Sequence, residues 1–229
     1  FKRMLGGWLY RFALRSKKVV VIFQNRDDEQ LLINLGAVKP EQVVLIRGSG
    51  VDLIAYSCSP EPTTDKPVVT FAARLLFDKG IQEYVDAAVI LEQRGVNAVF
   101  QIVGDLDAGN LTSVTTEHLN EWSKISNIKI TGYTKDIASV FAASNLVVLP
   151  SYREGLPKVL IEAAACGRAV VTTDVPGCRD AITENVTGLL VPVKDAESLA
   201  DAIEMLLLDS DLRREMGKAG RLLAEQAFT

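Results

Sequence analysis

From residue 68 onward, short β-branched runs alternate with segments of helical periodicity, and few folds accommodate that alternation. Runs such as Val68-Val-Thr-Phe-Ala72, Leu146-Val-Val-Leu149 and Ala169-Val-Val-Thr172 are apolar almost throughout, as strands covered on both faces must be. Strands joined through helices are parallel, and their crossovers are right-handed. The spacing predicts strands over 68–72, 98–103, 128–130, 146–149, 169–172 and 188–191. Helices are expected over 80–94, 111–124, 137–143 and 157–165, with two more from residue 196. The class is therefore α/β: a doubly wound parallel sheet of Rossmann-like type.

The region before residue 68 reads differently. Residues 1–14 interleave basic and aromatic residues and suit a helix, followed by strands over 18–23 and 42–46 around a helix over 27–35. Pro60, Pro62 and Pro67, with Thr63, Thr64, Asp65 and Lys66 among them, make the most linker-like stretch. The expected organisation is the end of a preceding domain and a connection over 1–55, a linker over 56–67, and the sheet domain over 68–229. A start at Phe1 and a stop at Phe228-Thr229, inside a helical pattern, suit a piece of a longer protein.

Composition narrows the function. The 229 residues are 48% hydrophobic, enough for a large core. No run approaches the ~18 apolar residues of a spanning helix. Six of the 25 basic residues (Lys2, Arg3, Arg11, Arg15, Lys17 and Lys18) fall in the first eighteen positions, which leaves 19 against 29 acids elsewhere. An acidic body argues against nucleic acid as a partner. Cys58, Cys166 and Cys178 have no metal-ligand spacing and fit a reducing cytoplasm. His118 has no partner by motif and reads as structural. Trp122 reads as packed in a helix interface.

In doubly wound sheets ligands lie beyond the carboxyl ends of the strands, so the residues just after each strand carry the chemistry. Pro150-Ser-Tyr-Arg-Glu-Gly-Leu-Pro-Lys-Val-Leu-Ile-Glu162 says the most. Pro157 suits a first helical turn, Gly155 permits close approach of backbone, and the helix start offers free N–H groups to a phosphate. Glu154 stands outside that helix and Glu162 about 7.5 Å further along it at 1.5 Å per residue. A carboxylate a sugar's length from a pyrophosphate can accept hydroxyl bonds. Solvated helix-end charges are the plainer alternative, but the apolar neighbours of Glu162 imply a partner. After the first strand of the sheet domain, Arg74 and Lys79 stand where two cations would neutralise a diphosphate leaving group. A surface Arg and a helix-start Lys are the alternative there.

Arg74…Lys79-Gly80, the Glu-Gly-Leu-Pro run and the Glu154-x7-Glu162 spacing together resemble the family 4 (group 1) retaining glycosyltransferases of the GT-B fold. Gly48-Ser-Gly-Val-Asp52 resembles the family's interdomain crossing and Gly132-Tyr133 its Gly-aromatic site. The resemblance implies retaining transfer of a sugar from a nucleotide diphosphate sugar, with this chain as the C-terminal donor-binding half. Arg74 and Lys79 would hold the diphosphate, Glu162 the ribose and Glu154 the donor sugar. The Gly155-Leu156-Pro157 turn would present backbone N–H groups, and Gly132 and Tyr133 would flank the base. No metal or other cofactor is implied, because the two cations and the helix dipole do that work. The family's Gly-x-Gly after the second strand is replaced by Gly104-Asp105-Leu106-Asp107, which leaves Asp105 and Asp107 without a role.

The implied donor is a UDP-linked hexose or N-acetylhexosamine, with GDP-mannose the main competitor. The implied acceptor is a glycan or polyprenyl-linked sugar in surface polysaccharide or lipopolysaccharide biosynthesis in bacteria, bound by the amino-terminal domain. The basic-aromatic opening segment suits the inner face of the cytoplasmic membrane, or a face packed on that domain. The chain alone is expected to be inactive. A sucrose- or glycogen-synthase-like role and a non-catalytic nucleotide-binding module are the alternatives. A dehydrogenase is disfavoured, since Phe71-Ala-Ala-Arg74 is not a glycine-rich dinucleotide turn.

Overall fold

The computed structural model describes residues 2–16, 18–48 and 50–229, with side chains from Gly6 onward. Phe1 and Lys17 of the basic opening segment, and Ser49 of the Gly48–Asp52 crossing, lie outside the described residues, as do the side chains of Lys2 and Arg3.

The chain opens with α1 (Lys2–Ala13), β1 (Val21–Phe23), α2 (Arg26–Asn34) and β2 (Val43–Leu45). Asn25 caps α2 by accepting from the Asp28 N–H, and β1 and β2 pair in parallel around a small core of Phe23, Ala37 and Val38. The strand expected over 42–46 is shorter, because residues 40–42 form a 3₁₀ turn started by Pro40.

The rest is the predicted sheet. Its strands are β3 (Val68–Ala72), β4 (Val99–Val103), β5 (Ile128–Gly132), β6 (Leu146–Leu149), β7 (Ala169–Thr173) and β8 (Gly188–Val191), in the order β5-β4-β3-β6-β7-β8 and all parallel. Helices α3 (Ile81–Gln93), α4 (Thr116–Trp122), α5 (Ile137–Ala142), α6 (Lys158–Ala165), α7 (Cys178–Ala181), α8 (Ala196–Leu208) and α9 (Ser210–Ala227) cover it. The chain winds one way from β3 to β5 and the other way from β6 to β8. The crevice between the carboxyl ends of β3 and β6 is thus the switch point where such sheets bind ligands. Every residue of β6 and β7 is buried, as their unbroken apolar runs require.

Two features shape that crevice. Gly80 has φ 73°, and a Cβ there would lie 2.0 Å from the Pro150 carbonyl oxygen, so glycine lets the turn after β3 press against the end of β6. The helix expected over 111–124 begins only at Thr116. Ahead of it the backbone bonds to the segment after Arg74 instead: Leu75 N–H to Asp105 O, Phe77 N–H to Thr112 O and Val114 N–H to Leu75 O. The result is a loop over 105–114 standing at the crevice.

The proline-rich stretch is anchored to the sheet domain. Buried Arg168 donates to the carbonyls of Ser59, Pro60, Phe141 and Ala142, and Arg213 pairs with Glu61 while donating to the last carbonyls of α8. His118 belongs to the capping box of α4 and packs edge-on against Phe77, and Trp122 is buried. Both are structural. Among the described residues no helix is long and apolar enough to cross a membrane.

Candidate active site

Two adjoining hollows open at the switch point, of about 820 Å³ and about 250 Å³. They share a wall of Ala72, Ala73, Arg74, Lys158 and Val159. The larger is closed by Tyr56, Asp105, Asp107, Tyr133, Lys135 and Glu162, and the smaller by Lys79, Glu154, Leu156 and Pro157. The predicted residues thus converge from three chain segments, 74–79, 132–133 and 154–162. Gly132 and Gly155 stand behind the walls rather than in them.

Arg74 leaves the end of β3 and stays largely exposed, its Nη1 2.8 Å from Asp107 Oδ2. Lys79 lies in the 3₁₀ turn Phe77–Lys79 and reaches across the crevice to Glu154, with Nζ 2.5 Å from Oε1. Ser151 Oγ donates to the same oxygen at 2.7 Å. Both partners are nearly covered, with 20% of the Lys79 side chain and 12% of the Glu154 side chain exposed. These two groups hold one another across the crevice. An anion approaching Lys79 would have to share it with Glu154, whose carboxylate is already held by Lys79 and Ser151.

Pro157 is the N-cap of α6, one position earlier than the expected first helical turn, and Lys158 begins the helix. The N-terminus of α6 faces the shared wall, where its unpaired N–H groups and dipole favour an anion. Lys158 at that end is disfavoured by the dipole unless an anion is bound. That was the sequence signal for a residue the motif reading passed over.

Glu162 is half-buried on α6 and lines the larger hollow, with buried Ile161 and Ala163 beside it in the chain. Burial raises its carboxyl above the ordinary range, while the Tyr56 hydroxyl and Lys158 pull it back. Tyr56 comes from the connection after Val51, its carbonyl held by Arg221 of α9, and its phenol is pushed up first by burial and then by Glu162. Nothing local in the sequence marks Tyr56. Only the packing of the connection on α6 and α9 brings it here.

The Glu154-Gly155 turn is covered on its outer side by the turn after β1. Asn25 Nδ2 donates to the Gly155 carbonyl at 2.9 Å, and a Cβ on Gly155 would sit 2.5 Å from Gln24 Oε1. Asp28 pairs with Arg153, and Asp27 with Arg179. Leu156 is buried at the floor of the smaller hollow. On the other side, Gly132 ends β5 and its carbonyl accepts from Gly104 N–H at 3.1 Å, while the Tyr133 side chain is exposed at the mouth of the larger hollow. Asp105 and Asp107 have Asp-x-Asp spacing, but the Asp105 carboxylate accepts from Leu106 N–H and that of Asp107 from Arg74.

The arrangement offers cations and a helix N-terminus at one wall, an ionisable carboxylate a helical turn deeper, and a second carboxylate across the crevice. It suits an anionic ligand with hydroxyl groups on both sides of its charge.

The profile of the family described as "Glycosyl transferases group 1" matches residues 58–223. The N,N'-diacetylbacillosaminyl-diphospho-undecaprenol alpha-1,3-N-acetylgalactosaminyltransferase of Campylobacter jejuni is 32% identical over 209 residues, covering 86% of this chain and 53% of that protein. The capsular polysaccharide biosynthesis glycosyltransferase CapM of Staphylococcus aureus is 31% identical over 165 residues, covering 72% of this chain and 43% of that protein. Among solved structures, sucrose-phosphate synthase of Thermosynechococcus elongatus superposes with a TM-score of 0.83 at 27% identity, over 97% of this chain and 57% of that one. Anabaena Alr3699/HepE in complex with UDP and glucose superposes with a TM-score of 0.79 at 24% identity, over 91% of this chain and 59% of that one. The chain spans about half the length of the curated relatives it matches.

Proposed function

For a chain that belongs to the glycosyl transferases of group 1, we propose retaining transfer of a sugar from a nucleotide diphosphate sugar, with this chain supplying the donor site. The observation that carries the reading is the convergence of Arg74, Lys79, Glu154 and Glu162 on the two hollows at the switch point. The diphosphate lies along the shared wall, against Arg74, Lys79 and the start of α6, where developing negative charge on the leaving group is stabilised in place. Glu162 accepts from the ribose hydroxyls in the larger hollow, with the base toward Tyr133. The sugar lies in the smaller hollow, where Glu154, oriented by Lys79 and Ser151, accepts from its hydroxyls. The diphosphate's charge is met by protein cations and not by a metal ion, so EDTA is expected to leave the activity of the full-length protein unchanged.

The donor we assign is a UDP-linked hexose or N-acetylhexosamine. The acceptor we assign is a glycan or polyprenyl-linked sugar in surface polysaccharide assembly, which accords with the substrates named for the Campylobacter jejuni relative. A peripheral contact with anionic membrane belongs to the same reading. Trp8, Leu9, Tyr10 and Phe12 of α1 are exposed, and Arg15 stacks over Phe12. Co-sedimentation with anionic vesicles tests that contact, and failure to bind them removes it.

Calorimetry with UDP, GDP and ADP tests the donor site. UDP is expected to bind, and Glu162→Ala to weaken it by at least ~10-fold through the loss of hydrogen bonds to a charged acceptor. Binding unaffected by Glu162→Ala, or no nucleotide binding, would count against the reading.

A further inference from the structure

A hollow that receives a diphosphate should avoid carboxylates, yet Asp105 and Asp107 both line the larger one. Their contacts differ. Asp105 turns back on its own loop, accepting from Leu106 N–H at 2.9 Å. Asp107 faces Arg74, its Oδ2 2.8 Å from Nη1. A guanidinium carries five N–H donors in a rigid fork. Among the described residues only Nη1 of Arg74 meets a protein acceptor, so Nε and Nη2 remain available to a ligand.

The grip is built into the fold. Asp107 N–H donates to Ser113 Oγ at 3.1 Å, Asn110 N–H to the Asp107 carbonyl at 2.8 Å, and Asn110 Oδ1 accepts from both Thr112 N–H and Thr112 Oγ at 3.0 Å. Leu76 and Ser113 form an antiparallel bridge, and Phe77 N–H donates to Thr112 O at 2.8 Å. The carboxylate is therefore carried by a loop stitched to the very segment that follows Arg74. An exposed arginine on a free loop would have many rotamers to lose on binding, whereas one held at an edge has few.

Resting on the donor-site reading, we propose that Asp107 is a positioning residue for Arg74: it grips one edge of the guanidinium and presents the remaining N–H groups to the diphosphate of the nucleotide. A carboxylate that masked Arg74 would instead be expected to take the fork with both oxygens, the geometry in which Arg–carboxylate pairs are strongest.

Calorimetry with UDP on the intact protein, comparing wild type, Asp107→Asn, Asp107→Ala, Arg74→Ala and the double Ala variant, decides this. Asn keeps an oxygen acceptor for Nη1 and removes the charge. Asp107→Ala is expected to weaken UDP binding about 5–10-fold, the usual worth of one intramolecular hydrogen bond at a partly exposed site, while Asp107→Asn stays within about two-fold. On the Arg74→Ala background, Asp107→Ala should add nothing. Should Asp107→Ala fail to fold, Asp107→Ser, which suits a turn but is too short to reach Nη1, carries the same expectation. Tighter binding by both Asn and Ala variants would mean masking and overturn the inference. Unchanged binding by Asp107→Ala beside a weakened Arg74→Ala overturns it alone. Unchanged binding by Arg74→Ala, or no UDP binding at all, overturns the donor-site reading with it.

Discussion

At the scale of single residues, the site works by setting ionisable groups against their surroundings. Glu162 is a carboxylate pushed toward its neutral form by burial in the wall of the larger hollow. Its native state holds the proton more tightly than the unfolded chain does. Its contribution to stability is therefore fullest below the ordinary carboxyl range and is lost as pH rises through the elevated value. Glu162→Gln should accordingly raise the melting temperature at pH 7.5 and change it little near pH 4. The same substitution should weaken nucleotide binding, since an uncharged amide is the poorer acceptor for ribose hydroxyls. For the wild type, nucleotide affinity should fall on acidification through the elevated Glu162 value, above the pH at which exposed glutamates titrate. A melting profile unchanged by Glu162→Gln at pH 7.5 would contradict this account. The buried thiols of Cys166 and Cys178 are both pushed up to about 11 by burial, which suits small core residues and not nucleophiles.

At the scale of elements, the positions of α5, α6 and α9 depend on a few buried arginines. Arg168 is 1% exposed and fills the carbonyls at the end of α5 and at Ser59 and Pro60. Removing it leaves several buried acceptors unmet at about 1–3 kcal/mol each before relaxation and water entry. Arg168→Ala is expected to cost about 3 kcal/mol or more, read as a lowered urea midpoint at unchanged slope. A loss below about 1 kcal/mol would show that the proline-rich stretch is not held through this side chain. The limits of the sequence reading are clearest at this scale. Strand runs such as 146–149 were legible because every residue of a doubly covered strand is apolar. The helix start at Thr116 was not legible. The residues ahead of it satisfy their backbone groups against Leu75 and Phe77, and that partnership exists only once β3 and β4 are side by side.

At the scale of the whole molecule, the β1–α2 turn and the sheet domain meet at the Arg153–Gly155 turn. Asn25 both caps α2 and bonds to Gly155. The flanking pairs Asp28–Arg153 and Asp27–Arg179 are exposed enough to contribute little and to weaken with salt. Asn25→Ser keeps a cap of equal quality but cannot reach the Gly155 carbonyl. In the full-length protein it should leave UDP affinity within about two-fold while lowering the rate of sugar transfer several-fold, because a small misplacement beside Glu154 is felt at the reacting centre. Equal loss of both would mean that the turn supports the fold and not the sugar site.

What the sequence determined by itself is what depends on local periodicity and on motif spacing. The alternation from residue 68 imposes a parallel doubly wound sheet, and Arg74, Lys79, Glu154 and Glu162 are marked by their places at strand ends and on one helix. What only the tertiary structure decided is what each of those groups stands against: Lys79 paired with Glu154, Arg74 paired with Asp107, and Glu162 in the same hollow wall as Tyr56. Those partners lie on segments far apart in the chain. Hydrophobic burial of the sheet brings them together, and charge and hydrogen bonding then pair whatever it has brought within reach.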